Sequence, residues 1–315
     1  MYKLFLTGGT GFFGKALLKY WLCNNPFTEI HIISRDPQSF IQKNKNLINL
    51  LPLIFHEGNI KEPNSFPDIS GITHIIHAAT DSTLGPNLSQ DEIYNQIVNG
   101  TINTLDFAVK KSIPNFFMTS SGGVYGSASN SVTKTFNGFL ETDKLNGRGV
   151  YSESKIISEK IIFEYKEKYK INAVIARCFS FVGEDLPLNV HFAIGNFIKN
   201  ALENKTIIVN GDGLPIRSYL YQADLARIIT KLTLNKKQKN IFNVGSDQSI
   251  SIKNLAYLIK DIVNPKLSVK ILGIKDKNIK DSYYPNISRL KEEFPSEVFL
   301  NTKEAIIKTI DNLKI

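Results

Sequence analysis

The segment Thr7-Gly8-Gly9-Thr10-Gly11-Phe12-Phe13-Gly14 constrains this chain more than any other, because it joins an apolar run, Lys3 to Thr7, to an amphipathic one, Phe12 to Leu22. Glycine is dense here for two physical reasons. A tight turn out of a strand needs φ values that a Cβ resists, and a Cβ would hold a pyrophosphate away from the amides at a helix N-terminus. The spacing satisfies GxGxxG from Gly9 and GxxGxxG from Gly8. Strand before and helix after is the setting a dinucleotide fingerprint requires. The plain alternative is a glycine-rich turn without a ligand.

The rest of the first half continues the alternation. Residues 30–34 (IHIIS), 52–55 (PLIF), 74–78 (HIIHA), 115–119 (NFFMT) and 172–176 (NAVIA) read as buried strands, and 91–111 and 151–168 as helices. Strands alternating with helices imply βαβ units and a Rossmann-type, doubly wound parallel sheet in an α/β protein. The second half is less regular: a helix near 192–202, a strand at 207–209, a polar loop at 210–213, and helices from 223, at 252–262 and at 302–313. It reads as a smaller α/β substrate lobe interleaved with the last sheet strands. The expected division is a dinucleotide-binding domain over 1–178 plus about 219–247, and a lobe over about 179–218 plus 248–315.

Composition narrows the function classes. With 42% hydrophobic against 21% charged residues in 315, disorder is excluded. No run approaches the roughly 20 apolar residues of a spanning helix, so a cytoplasmic protein without a membrane partner is expected. Cys23 and Cys178 stand in no metal-ligand or disulfide spacing. A net charge of +9 invites a nucleic-acid partner, yet the lysines are interspersed with acids, as in Tyr165-Lys166-Glu167-Lys168, which reads as a solvated helix face. Small polyanions such as dinucleotides or sugar nucleotides suit that charge better.

Three groups of residues carry candidate chemistry. Ser34-Arg35-Asp36 closes the second strand, where a ribose-binding acid usually stands about 20 residues beyond the last glycine. Arg35 can neutralise a 2′-phosphate, which favours NADP over NAD, whereas Asp36 could instead hold an unphosphorylated ribose. Tyr151 and Lys155 share a helix face, although 12 tyrosines and about 32 lysines give one such pair by chance. The strand ending at Thr119 runs into Ser120-Ser121-Gly122-Gly123-Val124-Tyr125-Gly126, placing hydroxyls at a carboxyl strand end, where doubly wound sheets bind ligands. A phenol becomes a usable base when a lysine ammonium supports its anion, and a serine can hold the substrate oxygen.

Taken in order, TGGTGFFG, Asn99-Gly100-Thr101 with Asn103 and Leu105, SSGGVYG, YSESK and Gly211-Asp212-Gly213 with Arg217 resemble the extended short-chain dehydrogenase/reductases, specifically the NAD-dependent epimerase/dehydratase family that modifies nucleotide sugars. The resemblance covers nearly the whole chain. It implies Ser121, Tyr151 and Lys155 as catalytic residues. It further implies cofactor contacts from Gly8, Gly11, Phe12, Phe13, Gly14, Arg35, Asn59, Ala78, Ala79, Asn99, Tyr151 and Lys155. Substrate contacts would come from Thr80, Ser121, His191 and Arg217, with Arg217 on the diphosphate. A homodimer through a four-helix bundle and hydride exchange at carbon 4 of a hexose also follow from the resemblance.

Departures from the family pattern shape the expected reaction. Dehydratases of the family carry one or two carboxylates where this chain has Gly122 and Gly123, so a 4-epimerase or 4-ketoreductase is expected before a 4,6-dehydratase. A dehydratase would need Asp81 or His191 as substitute. His191 falls near an epimerising histidine of the fucose-synthase branch, but that branch's cysteine would fall near Gly123, and a polar pocket-lining role is the plainer reading. Ser180 stands where many members have Asn, and Ser282 where an arginine often precedes the YVPD-like Tyr283-Tyr284-Pro285-Asn286. A catalytically silent NADP-binding regulator on the same fold is the alternative of another class.

Overall fold

The computed structural model describes residues 1–81, 87–126, 128–129, 137–235, 239–274 and 281–313. Its central feature is a seven-stranded parallel sheet. The strands are β1 (Tyr2–Thr7), β2 (Phe27–Ser34), β3 (Leu53–Glu57), β4 (His74–His77), β5 (Asn115–Ser121), β6 (Asn172–Cys178) and β7 (Ile241–Val244), in the spatial order β7-β6-β5-β4-β1-β2-β3. Strands covered on both faces must be apolar on both, which is why they are legible as continuous hydrophobic runs rather than alternating ones. Phe5, Ile75, Phe116, Met118 and Ile175 join Leu105, Phe107 and Ile162 from flanking helices in one core cluster.

The order reverses between β1 and β4, which defines the crevice at the carboxyl strand ends where such sheets take their ligands. Helix α1 (Phe12–Asn24) leaves β1 there and buries Ala16, Leu17, Leu18 and Trp21. The Trp21 indole N–H donates to Thr230 Oγ1 at 2.9 Å. After β2, Asp36 caps α2 (Pro37–Lys43), its carboxylate accepting from the Ser39 amide at 2.9 Å.

The helix expected over 91–111 is interrupted. A short α3 (Gln90–Tyr94) opens with a Ser89–Glu92 capping box, a π-turn occupies Asn95–Asn99, and α4 (Gly100–Lys110) follows. The Thr101 hydroxyl donates to the Ile97 carbonyl at 2.6 Å, a side chain competing for the acceptor that regular helix geometry would use. Periodicity does not register a single wide turn, so the sequence reads as one helix. Helix α5 (Val150–Tyr169) is continuous, entered from Gly149 at φ +83° and left through Lys170 in the left-handed region.

Two compact units result, one of Met1–Val124, Gly147–Arg177 and Ala226–Phe242, the other of Tyr125–Asn146, Cys178–Leu225 and Asn243–Ile315. The second unit contains a small sheet ordered Ser249–Ser251, Ile216–Ser218, Asp281–Tyr283, Ala128–Ser129. Strand Ile207–Val209 pairs in parallel with Val269–Ile271. Asn243 organises this unit from the end of β7: its amide N–H donates to Glu141 at 3.0 Å, its Nδ2 to the Phe139 carbonyl at 2.7 Å, and its Oδ1 accepts from the Tyr125 hydroxyl at 2.8 Å. Among the described residues no helix is long and apolar enough to cross a membrane.

Candidate active site

The glycine turn is built around one contact. Gly8 adopts φ +76°, and a Cβ there would lie 2.5 Å from the Ala78 carbonyl oxygen and 2.7 Å from the Ala79 amide, so the turn lies directly on the end of β4. Gly14 likewise packs on Gly9, with 2.2 Å between its notional Cβ and the Gly9 carbonyl. Gly11, by contrast, is exposed and tolerates a Cβ at ordinary distance from the protein. Its lack of a side chain opens space on the ligand side. It also begins α1, a 13-residue helix, with no side-chain cap and no acidic residue in the first turn, so the positive end of the helix dipole carries no anionic side chain of its own. Phe12 and Phe13 are half-buried within that turn. These features fit the pyrophosphate of a dinucleotide.

Beneath Ala79, a buried relay fixes the same strand ends. The Ala79 amide donates to Thr7 Oγ1 at 3.2 Å, and Thr7 Oγ1 lies 2.9 Å from His77 Nδ1. His77 Nε2 lies 3.2 Å from Thr101 Oγ1, whose own proton goes to the Ile97 carbonyl. Thr101 must therefore accept, which puts the imidazole proton on Nε2 and makes Nδ1 the acceptor for Thr7. Burial, reinforced by the Lys155 ammonium, pushes His77 down to about 3. A neutral ring is what the relay requires.

The catalytic candidates of the first unit gather around the end of β5. Ser121 is buried, and its Oγ accepts from the Gly123 amide at 3.0 Å, so its proton can be offered to another oxygen. Tyr151 stands in the first turn of α5, where the helix dipole favours negative charge. Lys155, one turn later and buried, donates from Nζ to Thr80 Oγ1 at 2.9 Å and to the Thr119 carbonyl at 3.0 Å. A further turn on, Glu159 accepts two contacts from Arg177 Nε, at 3.1 and 3.2 Å, and one from Nη2 at 2.7 Å. The Ser120 hydroxyl donates to the same carboxylate at 2.5 Å. This ionic group fastens α5 to β5 and β6.

Other expected cofactor residues have local partners. Asn59 Oδ1 accepts from the Lys61 amide at 3.1 Å in the turn after β3, and Asn99 Nδ2 donates to Asn95 Oδ1 at 2.7 Å within the π-turn. Arg35 is 65% exposed and reaches Asp81 at 3.7 Å. Asp36, the alternative ribose ligand, already serves as the cap of α2. His191 and Arg217 belong to the second unit. His191 is exposed beside Phe192, with ring centroids 4.2 Å apart. Arg217 is paired with Asp281 at 2.6 Å.

The relay through His77 and the Glu159–Arg177 pair were not singled out from the sequence. Both carried a signal: a histidine and an arginine within otherwise apolar strand runs, each needing a buried partner. No group of three or more His, Cys, Asp or Glu among the described residues is arranged to hold a metal ion.

A parallel sheet with an uncapped glycine turn at its switch point and a Ser, Tyr, Lys set beside it defines an extended short-chain dehydrogenase/reductase. The family model for the NAD dependent epimerase/dehydratase family matches residues 4–245, and the chain belongs to that family. UDP-glucuronic acid decarboxylase 1 of Arabidopsis thaliana is 25% identical over 99% of this chain and 70% of its own length. A putative UDP-glucose 4-epimerase of Methanocaldococcus jannaschii is 29% identical over 82% of this chain and 81% of its own. The structure of UDP-glucuronic acid 4-epimerase from Bacillus cereus with UDP-glucuronic acid and NAD superposes with a TM-score of 0.81 at 20% identity, covering 99% of both chains. The chain is an enzyme of this type, and its homologues are NAD-dependent nucleotide-sugar epimerases, dehydratases and decarboxylases.

Proposed function

We propose that this enzyme acts at carbon 4 of a nucleotide hexose, as a 4-epimerase or a 4-ketoreductase. Ser121 holds the oxygen on carbon 4, Tyr151 exchanges the hydroxyl proton with it, and Lys155 supports the phenolate. A bound nicotinamide supplies hydride acceptance or donation at that carbon. Arg217 grips the substrate diphosphate, and Thr80 and His191 line the sugar side. Arg35 receives a 2′-phosphate, which makes NADP the favoured cofactor; its exposure and the engagement of Asp36 as a helix cap support that choice over an acid-bound ribose. A second copy of the chain completes a homodimer through α4 and α5.

The observation that carries the reaction class is the crowding at Gly123. A Cβ there would stand 3.0 Å from Ser152 Oγ and 3.2 Å from Ser121 Oγ, so even the first carbon of a carboxylate side chain presses on the hydroxyl that must hold the substrate. Elimination of water needs an acid and a base beyond the Ser, Tyr, Lys set, and this position does not provide one. Asp81, the candidate substitute, lies 3.7 Å from the exposed Arg35 and stands apart from the Ser, Tyr, Lys set in sequence. The silent-regulator reading has nothing to explain a serine, tyrosine and buried lysine kept together.

The test supplies a nucleotide hexose and its 4-keto-6-deoxy derivative separately, with and without NADPH. Consumption of one NADPH per ketone identifies a reductase, and interconversion of two hexoses without net cofactor change an epimerase. A 4-keto-6-deoxy product from the plain hexose overturns the proposal in favour of a dehydratase.

A further inference from the structure

Arg217 does not extend from its strand as a free cation. Strand Ile216–Ser218 pairs in parallel with Asp281–Tyr283, with Arg217 opposite Tyr283. The guanidinium turns back along this ladder. Its Nη2 donates to Asp281 Oδ2 at 2.6 Å, and its Nη1 donates to the Asp281 carbonyl at 3.2 Å and to the Ile216 carbonyl at 2.9 Å. The Tyr283 ring centroid lies 5.9 Å from its central carbon. The two charged side chains are 24% and 28% exposed, so water screens the pair only in part.

We infer that Asp281 is an internal counterion that sets the affinity of this enzyme for nucleoside diphosphates by competing with them for Arg217. The inference rests on the reading of Arg217 as the diphosphate ligand and adds the residue that governs it. A carboxylate held on one edge of the guanidinium cancels most of the field that would draw in a polyanion. A phosphate reaching the remaining N–H groups would lie within several Å of that carboxylate and be repelled by it. Arg217 is thereby kept ordered before substrate arrives, at a cost in affinity. Weak retention of the nucleotide suits an enzyme that must release a product bearing the same diphosphate as its substrate. The neighbouring Ser282 adds no positive charge to offset Asp281.

The experiment is a calorimetric titration of UDP and of dTDP into the full-length wild type, Asp281→Asn, Arg217→Ala and the double variant, each verified as folded by circular dichroism. Asp281→Asn is expected to lower the Kd about tenfold, the effect of removing one like charge at this separation, and to lose most of that gain near molar salt. Arg217→Ala is expected to weaken binding, and the double variant to match Arg217→Ala. Unchanged affinity in Arg217→Ala overturns the assignment of Arg217 itself. Weakening in Arg217→Ala together with equal or weaker binding in Asp281→Asn overturns the counterion inference while leaving that assignment standing. Tightening that persists in the double variant overturns it as well, because Asp281 would then act without Arg217. No binding by any of the four proteins overturns both.

Discussion

The ammonium of Lys155 lies 2.9 Å from the hydroxyl of Thr80, joining the catalytic helix to the segment that follows β4. With the Thr119 carbonyl as a second acceptor, the cation is held by oxygens from two strand ends, one turn from Tyr151. In the proposed mechanism Tyr151 passes the proton and Lys155 supports its anion. Tyr151→Phe is therefore expected to lower kcat at least ~100-fold, the scale of a lost general acid–base group, with cofactor affinity changed less than about twofold. Steady-state kinetics beside fluorescence titration of the cofactor checks both halves. Retention of turnover would remove Tyr151 from its role.

Arg35→Ala tests the cofactor. If the guanidinium receives a 2′-phosphate, the variant should lose about 1.5 to 3 kcal/mol of NADP binding and little of NAD binding. Titrating both nucleotides into both proteins distinguishes the cases. Equal losses, or a wild type that prefers NAD, count against the assignment.

His77 makes the first unit sensitive to acid. Its folded value of about 3 lies below the ordinary 6.5, so the unfolded chain takes up the proton first as pH falls. Stability from this group is complete above about 6.5 and is lost progressively as pH falls toward 3, by up to about 1.4 kcal/mol per pH unit. Urea denaturation at stepped pH should show a shallower decline in this window for His77→Gln, although that variant begins less stable. Parallel pH profiles would show that His77 does not titrate as described.

The Glu159–Arg177 pair is predicted to be far more costly to break than to replace. Arg177→Met leaves a buried carboxylate without its cation and should cost about 3 to 5 kcal/mol. Adding Glu159→Leu should recover most of the loss, since the orphaned charge is then gone. Thermal melts of the single and double variants decide it, and a double variant as unstable as the single would contradict the account.

Much of the sheet was legible because parallel strands buried on both faces appear as unbroken apolar runs. Residues 3–7 and 115–119 were read within the strands Tyr2–Thr7 and Asn115–Ser121. Of the short strands of the second unit, Ile207–Val209 was read and the others were not. Ile216–Ser218 and Asp281–Tyr283 have three residues each, too few for a period to show, and their pairing is set by partners distant in sequence. The site divides the same way. The glycine turn and the Tyr151–Lys155 spacing are local patterns. The partners of Lys155, Glu159 and Arg217 lie 75, 18 and 64 residues away, so no local spacing announces them.

The hydrogen bond from Trp21 to Thr230 has a practical consequence. Trp21 is the chain's single tryptophan, wholly shielded from water and confined to the unit that carries the glycine turn. Excitation near 295 nm therefore addresses one site, and its emission should be blue-shifted until that unit opens. Far-ultraviolet circular dichroism reports on both units together. Denaturation curves that coincide by the two signals would indicate joint melting, whereas an early or late red shift would order the two events, without any label being attached to the protein.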